Sequence, residues 1–166
     1  MTDFQSYYPK NYKDSQLRFE KLAKKVSEPK LFGRWKVDSV TDDDLAVDYL
    51  YVPARVASKK LLILISGVHG TESYAGSAVQ EMFLTEILPT IDLSTTGIFL
   101  VHSLNPYGFK NHSRLTEHKV NLNRNCSSNE RMYSIRNREC LALCRRFIPA
   151  EPVASKQSFL MQKMTQ

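Results

Sequence analysis

The 166-residue sequence predicts an α/β chain, and three observations carry that prediction. An unbroken apolar run, Leu61 to Ile65, leads directly into a glycine-bearing turn, Ser66-Gly67-Val68-His69-Gly70-Thr71-Glu72. Apolar residues at helical spacing follow from Glu72 to Leu88, and a second apolar run occupies Ile98 to Val101. Strand, turn, helix and strand in that order make a β-α-β unit, because parallel strands need a long crossover. Ahead of it, Leu45, Val47, Tyr49 and Tyr51 alternate with Ala46, Asp48 and Leu50, the period of a strand with two unlike faces.

Each element has a local reason. Residues 1–13, rich in Tyr, Lys and Asn, read as an irregular lead-in. Asp14 or Ser15 can cap a helix running to about Val26, with Leu17, Leu22 and Val26 on one side. Ser27-Glu28-Pro29 ends it, since a residue before proline avoids helical dihedrals. Trp35 to Val40 and Leu45 to Val52 then form an antiparallel hairpin about Asp42-Asp43-Asp44, an acidic run that reads as a solvated turn rather than a metal site. Lys59-Lys60 leads into Leu61–Ile65, whose continuous apolar character suits a central strand buried on both faces. In the helix after it, Ala75, Ala78, Val79, Met82, Phe83 and Ile87 form the apolar stripe and Pro89 is the stop. Asn105-Pro106-Tyr107-Gly108-Phe109 reads as a turn, and Lys110 to Asn125 as a polar, aperiodic loop of the kind that builds sites. A further helix is expected from about Asn129 to Phe147, with Met132, Cys140, Leu143, Cys144 and Phe147 on its apolar side, and residues 150–166 form a weakly patterned tail.

Composition narrows the class. At 42% hydrophobic and 24% charged, the chain can bury one core, and a single domain over residues 1–166 is the expectation. The longest apolar run is far short of the ~20 residues a membrane helix needs. Met1 to Lys10 lacks the apolar stretch of a secretory signal, and Cys126, Cys140 and Cys144 cannot all pair, so a reducing cytoplasm is expected. The net charge of +6 is localised: residues 1–109 carry 12 Lys/Arg against 13 Asp/Glu, whereas residues 110–146 carry 9 against 3. Such a segment can attract an anionic substrate or a polyanion, or simply solvate a helix face. Nucleic acid is the disfavoured partner, because aromatic stacking residues are not interleaved with the charge.

His69 and Glu72 are the sharpest chemical signal. An imidazole and a carboxylate three residues apart, on a turn entering a helix at a strand's carboxyl end, can converge on one cation, and zinc accepts such a nitrogen and oxygen set. The bland alternatives are a Glu72 that caps the helix and a His69 bonded to backbone. Downstream, Arg114 and Val120-Asn121-Leu122-Asn123-Arg124-Asn125 place guanidinium groups beside amides, a combination suited to a planar carboxylate. His102 at the end of the next strand can reach the same edge but reads as a packing or supporting residue, and His112 and His118 read as solvent-facing. Cys140 and Cys144 read as buried packing residues. No Gly-x-Ser-x-Gly surrounds Ser66 or Ser77, and no phosphate-binding Gly-rich loop occurs.

In combination these motifs resemble the zinc carboxypeptidase-like superfamily, and within it a bacterial branch catalogued as a domain of unknown function. Leu61 to Gln80, reading LLILISGVHGTESYAGSAVQ, resembles that family's metal-binding strand, turn and helix. Asn105–Phe109, Arg114 and the segment 120–125 follow in the family's order, so the resemblance spans roughly residues 45–150. It implies a mixed parallel and antiparallel sheet flanked by helices, like the N-terminal half of that fold, and one zinc ion per site. By position, His69 and Glu72 would be zinc ligands, Arg114 would polarise the scissile carbonyl, and Asn123 with Arg124 would grip a terminal carboxylate. The substrate would be a small peptide or an N-acyl amino acid with a free carboxylate, its amide attacked by a water acidified on the metal.

The family draws a third ligand, a His, and a general-base Glu from a later half of its fold. No His follows His118 in these 166 residues, so neither role can be placed. Asn121 stands where the family often has Asp. The expectation is therefore half of a metallopeptidase site with little turnover on its own, in a half sheet whose open edge invites a second copy or a complementing chain. A non-catalytic ligand-binding protein is the alternative from a different class.

Overall fold

A computed structural model of the chain describes residues 4–125, which lie within one compact unit running from Met1 to Cys126. A 3-10 turn at Phe4–Tyr7 precedes the first helix, α1, Tyr12–Lys25. Its cap is Asn11, whose side chain accepts from the Asp14 backbone N–H, so the cap lies three residues before Asp14 and four before Ser15, the two expected positions. Lys24 and Lys25 close its last turn, favourably placed against the helix dipole.

One mixed sheet follows, with strand order β1-β2-β4-β3. The strands are β1 (Leu31–Lys36), β2 (Ala46–Val52), β3 (Lys60–Ile65) and β4 (Thr96–His102). β1 with β2 and β2 with β4 are antiparallel, while β3 with β4 is parallel across the helix α2, Ser73–Met82. The expected hairpin and β-α-β unit are both present, and with the flanking helices they make the mixed α/β sheet that the motifs imply.

The hairpin's first strand differs in position. It begins at Leu31, two residues after Pro29, and stops at Lys36, not at Val40. Trp35 lies opposite Val47 and stacks on Tyr49 at 4.3 Å. The connection to β2 is correspondingly long, and its acids are neutralised by an ammonium group: Lys110 Nζ sits 2.6 Å from Asp42 and 2.5 Å from Asp44.

The expectation that Leu61–Ile65 forms a central, doubly buried strand is overturned. β3 lies at the edge of the sheet, paired only with β4 among the described residues, and Leu61, Ile63 and Ile65 are each about half exposed, at 51%, 51% and 52%. An unbroken apolar run reports that a strand has no solvent-adapted face; it does not report which neighbours are present.

The core lies on the face of the sheet covered by the helices. Phe32, Leu50, Leu100 and Leu64 form one cross-strand row there, and Val52 with Ile98 extends it under Phe19, Ala23, Phe83, Leu84 and Leu88. Each helix keeps part of the stripe expected of it, Leu22 and Val26 packing against the core and Ala78 and Phe83 buried, while other members face outward. Leu17 is 57% exposed, while Ser15, Phe19 and Ala23 face inward. Val79 and Ile87 are also exposed, and α2 buries Ser73, Ser77 and Gln80 beside the expected Ala78. A π-helical segment, Phe83–Ile87, follows α2 directly and widens the turn so that Phe83 and Leu84 both reach the core. Pro89 then sits in the closing 3-10 turn, Leu88–Thr90.

A polar seam runs through this face. Arg34, Asp48 and His102 lie side by side on β1, β2 and β4. Asp48 is fully buried and held in a two-pronged ion pair, Oδ1 to Arg34 Nε at 2.6 Å and Oδ2 to Nη2 at 2.9 Å. His102 is 1% exposed, stacks on Phe19 at 4.6 Å, and is bonded through both ring nitrogens. Burial pushes its pKa down from 6.5 to about 3, so the ring is neutral in the folded protein at ordinary pH.

That shift fixes a sign. The unfolded chain protonates this histidine below about pH 6.5 and the folded protein does not until about pH 3, so stability drops as pH falls through that window. The loss is about 1.4 kcal/mol per pH unit once well below the unfolded value. Urea unfolding between pH 7 and about pH 4 is expected to show a shallower acid loss for His102→Gln than for the parent, whatever the offset between them at neutral pH.

Candidate functional site

The parallel pairing of β3 with β4 puts both carboxyl ends at one edge of the sheet, where a ligand site forms in folds of this class. Ser66 N–H donates to Val101 O at 3.0 Å, and the chain then turns through Gly67 with φ of +69°. A side chain there would be strained by that dihedral and would strike Ser103 Oγ, 2.2 Å away from an added Cβ. The backbone N–H groups of Leu104 and Asn105 donate to Ser66 O and Gly67 O at 2.9 and 2.7 Å, which fastens the turn to the end of β4.

His69 and Glu72 are brought together. His69 Nδ1 lies 3.0 Å from Glu72 Oε2. The imidazole is buried, with 8% of its side chain exposed, while the carboxylate is 69% exposed. Glu72 occupies the N-cap position of α2, where the helix dipole favours its charge, but makes no side-chain cap bond, and the histidine ring meets a carboxylate rather than backbone. Ser73 Oγ donates to His69 O at 3.0 Å and fixes that backbone against the start of α2.

The residues fit a zinc ion as a partial ligand set. Two donors on a tetrahedral ion with bonds near 2.1 Å stand about 3.4 Å apart, so an opening of about 0.4 Å would admit the metal between them. His69 Nε2 is buried and has no hydrogen-bond partner among the described residues, so the ring's bonding is incomplete as it stands. Among the described residues no group of three or more His, Cys, Asp or Glu side chains is placed to hold a metal. The pair would therefore supply two ligands, with no third beside them among the described residues.

Asn105 shapes the rest of this edge. The segment expected as a simple turn is a short helix, α3, Pro106–Lys110, with Asn105 as its cap through a 2.9 Å bond from the Gly108 backbone N–H and proline at its start. Gly70 packs directly on α3: an added Cβ would lie 1.8 Å from Gly108 O and 2.3 Å from Ser113 O, both backbone atoms. Gly70 N–H donates to Ser113 O at 3.0 Å. Arg114, exposed, therefore follows a residue tied to the His69 turn, and this bond is how the loop is brought to the site.

Asn123 and Arg124 are exposed on a 3-10 turn, Leu122–Arg124, which Asn121 caps by accepting from the Asn123 backbone N–H at 3.1 Å. Arg124 Nη1 donates to Asn123 O at 3.2 Å. Neither side chain bonds to His69, Glu72 or Arg114 among the described residues. Between this loop and the β1–β2 connection lies an apolar hollow of about 290 Å³, lined by Val37, Leu45, Leu104, Asn105, Tyr107 and Val120 among others. A larger cavity, about 460 Å³, is lined by Leu22, Arg55 and Leu88 near the opposite ends of the strands, remote from His69.

His112 is exposed and stacks on Tyr74 at 5.8 Å, and His118 is exposed beside the hollow. The expected helix at 129–147, with Cys140 and Cys144, lies outside the described residues. Sequence reasoning passed over Gln80, Ser77 and Ser66 as structural partners of this site. Their signal was present: Ser73, Ser77 and Gln80, spaced four and three apart, form a polar stripe on the face of α2 that turns inward.

Comparison with known proteins places these features in context. The family model described as "Protein of unknown function (DUF2817)" matches residues 8–164. No curated protein matches the chain. A crystal structure from Shewanella denitrificans, named as a candidate metallopeptidase, superimposes with a TM-score of 0.50 at 21% identity, over 80% of this chain and 47% of that one. An aspartoacylase family protein from Mesorhizobium loti aligns with a TM-score of 0.46 at 23% identity, over 65% of this chain and 35% of its own length. A succinylglutamate desuccinylase/aspartoacylase from Rhodobacter sphaeroides aligns with a TM-score of 0.46 at 17% identity, over 64% and 33%. The first of these shows a shared fold. The chain spans less than half the length of each structure. No helix among the described residues is long and apolar enough to cross a membrane.

The packing of Gly70 yields a direct test. Gly70→Ala forces a methyl group into the backbone of α3 and the following loop, with an expected cost of about 1–3 kcal/mol in urea unfolding. Lys24→Ala, which truncates an exposed side chain in an exposed ion pair, is by contrast expected to change stability by less than about 0.5 kcal/mol.

Proposed function

Because the chain belongs to the DUF2817 family of proteins of unknown function, we propose that its site is a divalent-metal centre, zinc by its donor chemistry, serving hydrolysis of an amide bond next to a free carboxylate. The observation that carries the reading is the 3.0 Å approach of His69 Nδ1 to Glu72 Oε2 at the carboxyl edge of β3. When bound there, zinc supplies a Lewis acid and lowers the pKa of water.

The chain's own residues take definable parts. His69 is held by burial and by the Ser73 bond to its carbonyl, while Glu72 reaches it from the solvent side. Arg114, carried on the loop anchored at Gly70, meets negative charge as it develops on the substrate carbonyl oxygen. Asn123 and Arg124, side by side and exposed, suit the planar carboxylate of a peptide terminus or an acylated amino acid. The metallopeptidase and aspartoacylase names of the structural neighbours are compatible with either substrate, and the two differ in what lies on the acyl side of the bond. The general base and the remaining ligand are not among the described residues.

Metal content of the full chain, purified without chelator, tests this reading. His69→Ala and Glu72→Gln are each expected to lower zinc affinity at least about tenfold, since each removes one of two donors. Full zinc occupancy in both variants would remove the proposal. A matched series of dipeptides, C-terminally amidated dipeptides and N-acyl amino acids, scored by zinc-dependent binding, separates the substrates: amidation should abolish binding if Asn123 and Arg124 take the carboxylate.

A further inference from the structure

We propose that Gln80, oriented by His102, is the positioning residue that holds the His69–Glu72 turn in its metal-binding form, an inference that rests on the metal reading above. The Gln80 side chain is 3% exposed and uses its whole bonding capacity. Nε2 donates to Leu64 O at 3.1 Å on β3 and to Val101 O at 3.0 Å on β4. Oε1 accepts from Ser66 Oγ at 2.9 Å and faces His102 Nδ1 at 2.9 Å.

These contacts determine every proton in the group. The two backbone carbonyls can only accept, so the NH2 end of the amide must face them and Oε1 must face the imidazole. His102 Nδ1 therefore carries the hydrogen and donates to Oε1. Nε2 is left with its lone pair and accepts from Ser15 Oγ at 2.9 Å. Ser15 in turn accepts from Ser77 Oγ at 2.8 Å. The imidazole is thereby fixed as one neutral tautomer between α1 and α2, stacked on Phe19.

Position in the chain gives the group its role. Ser66 is the last residue before the turn, three before His69, and Gln80 lies two helical turns beyond Glu72 on α2. One amide thus grips the entry and the exit of the metal-bearing segment and ties both to the ends of β3 and β4. Gly76 allows this, since α2 passes so close that an added Cβ would stand 3.0 Å from Ser66 Cβ. An apolar pair could fill the same space without directional bonds. A saturated polar group selects one relative placement of strand end, turn and helix.

The test compares zinc and cobalt binding by the full chain and its variants, each first checked as folded by circular dichroism at the working temperature. Gln80→Leu is expected to remain folded, weaken zinc affinity at least tenfold, and alter the visible absorption of the cobalt form. Phe19→Leu, a core change beside His102 that leaves the hydrogen bonds in place, is expected to keep zinc affinity within about twofold and the cobalt spectrum unchanged. Ser66→Ala removes a single bond to Oε1 and is expected to weaken zinc binding about threefold or more; it decides the matter if Gln80→Leu does not fold. Zinc binding that depends on His69 yet is unchanged in Gln80→Leu, or in Ser66→Ala where that variant decides, overturns the positioning role alone. Zinc binding indifferent to His69→Ala overturns the metal reading and this inference with it.

Discussion

Parallel pairing of β3 with β4, from Lys60 opposite Thr96 to Ile65 opposite Val101, sends both chains out of the sheet at the same edge. Had the pair been antiparallel, the His69 turn and the Ser103–Asn105 segment would leave at opposite ends. Because they leave together, their backbones can bond directly, Leu104 to Ser66 and Asn105 to Gly67, and the turn becomes a fixed object. The loop that carries Arg114 docks onto that object through Gly70 and Ser113. The order of construction is therefore strand pairing, turn, α3 and loop, with each layer built on the one before.

Much of this was legible in the residues, and the parts that were not share a cause. Local signals worked where a local force decides. α1 stopped before Pro29, the alternation over 45–52 marked β2, and the turn after Ile65 brought an imidazole to a carboxylate. Inference failed where the deciding partner is distant in sequence. Val79 and Ile87 were apolar enough to belong to a core face, yet α2 turns Ser77 and Gln80 inward because Ser15, Ser66 and His102 await them there. Leu17 likewise yields its place to Ser15 and Phe19, which answer to His102. A polar group buried at the centre of a helix face overrides the apolar count, since leaving it unpaired costs more than exposing one aliphatic side chain.

The edge position of β3 is the same lesson at the level of the sheet. On the side that no helix covers among the described residues, cross-strand rows run Leu31, Tyr51, Phe99, Ile63 and Gly33, Tyr49, Val101, Ile65. Aromatic rings make the middle of this surface, with Tyr49 and Tyr51 each about 6 Å from Phe99, and aliphatic side chains make its outer margin. Tyr49 lies over Gly33, the one position in its row with no side chain to obstruct the ring. A row of this composition behaves as interior, which is why the sequence of β3 reads as central while its described neighbours leave it at the margin.

The unequal exposure of the two donors at the turn, 8% for the His69 side chain and 69% for Glu72, has a physical consequence for any ion bound there. The histidine arrives already oriented, so its contribution carries little further loss of freedom. The glutamate must surrender rotamers that solvent now allows it, at a cost on the order of 1–2 kcal/mol. Affinity at such a site is governed by how well the rigid half is aimed. That shifts control away from the exposed carboxylate and into the buried amide, imidazole and hydroxyl groups behind the turn, whose bonds set the direction in which the His69 backbone leaves the sheet.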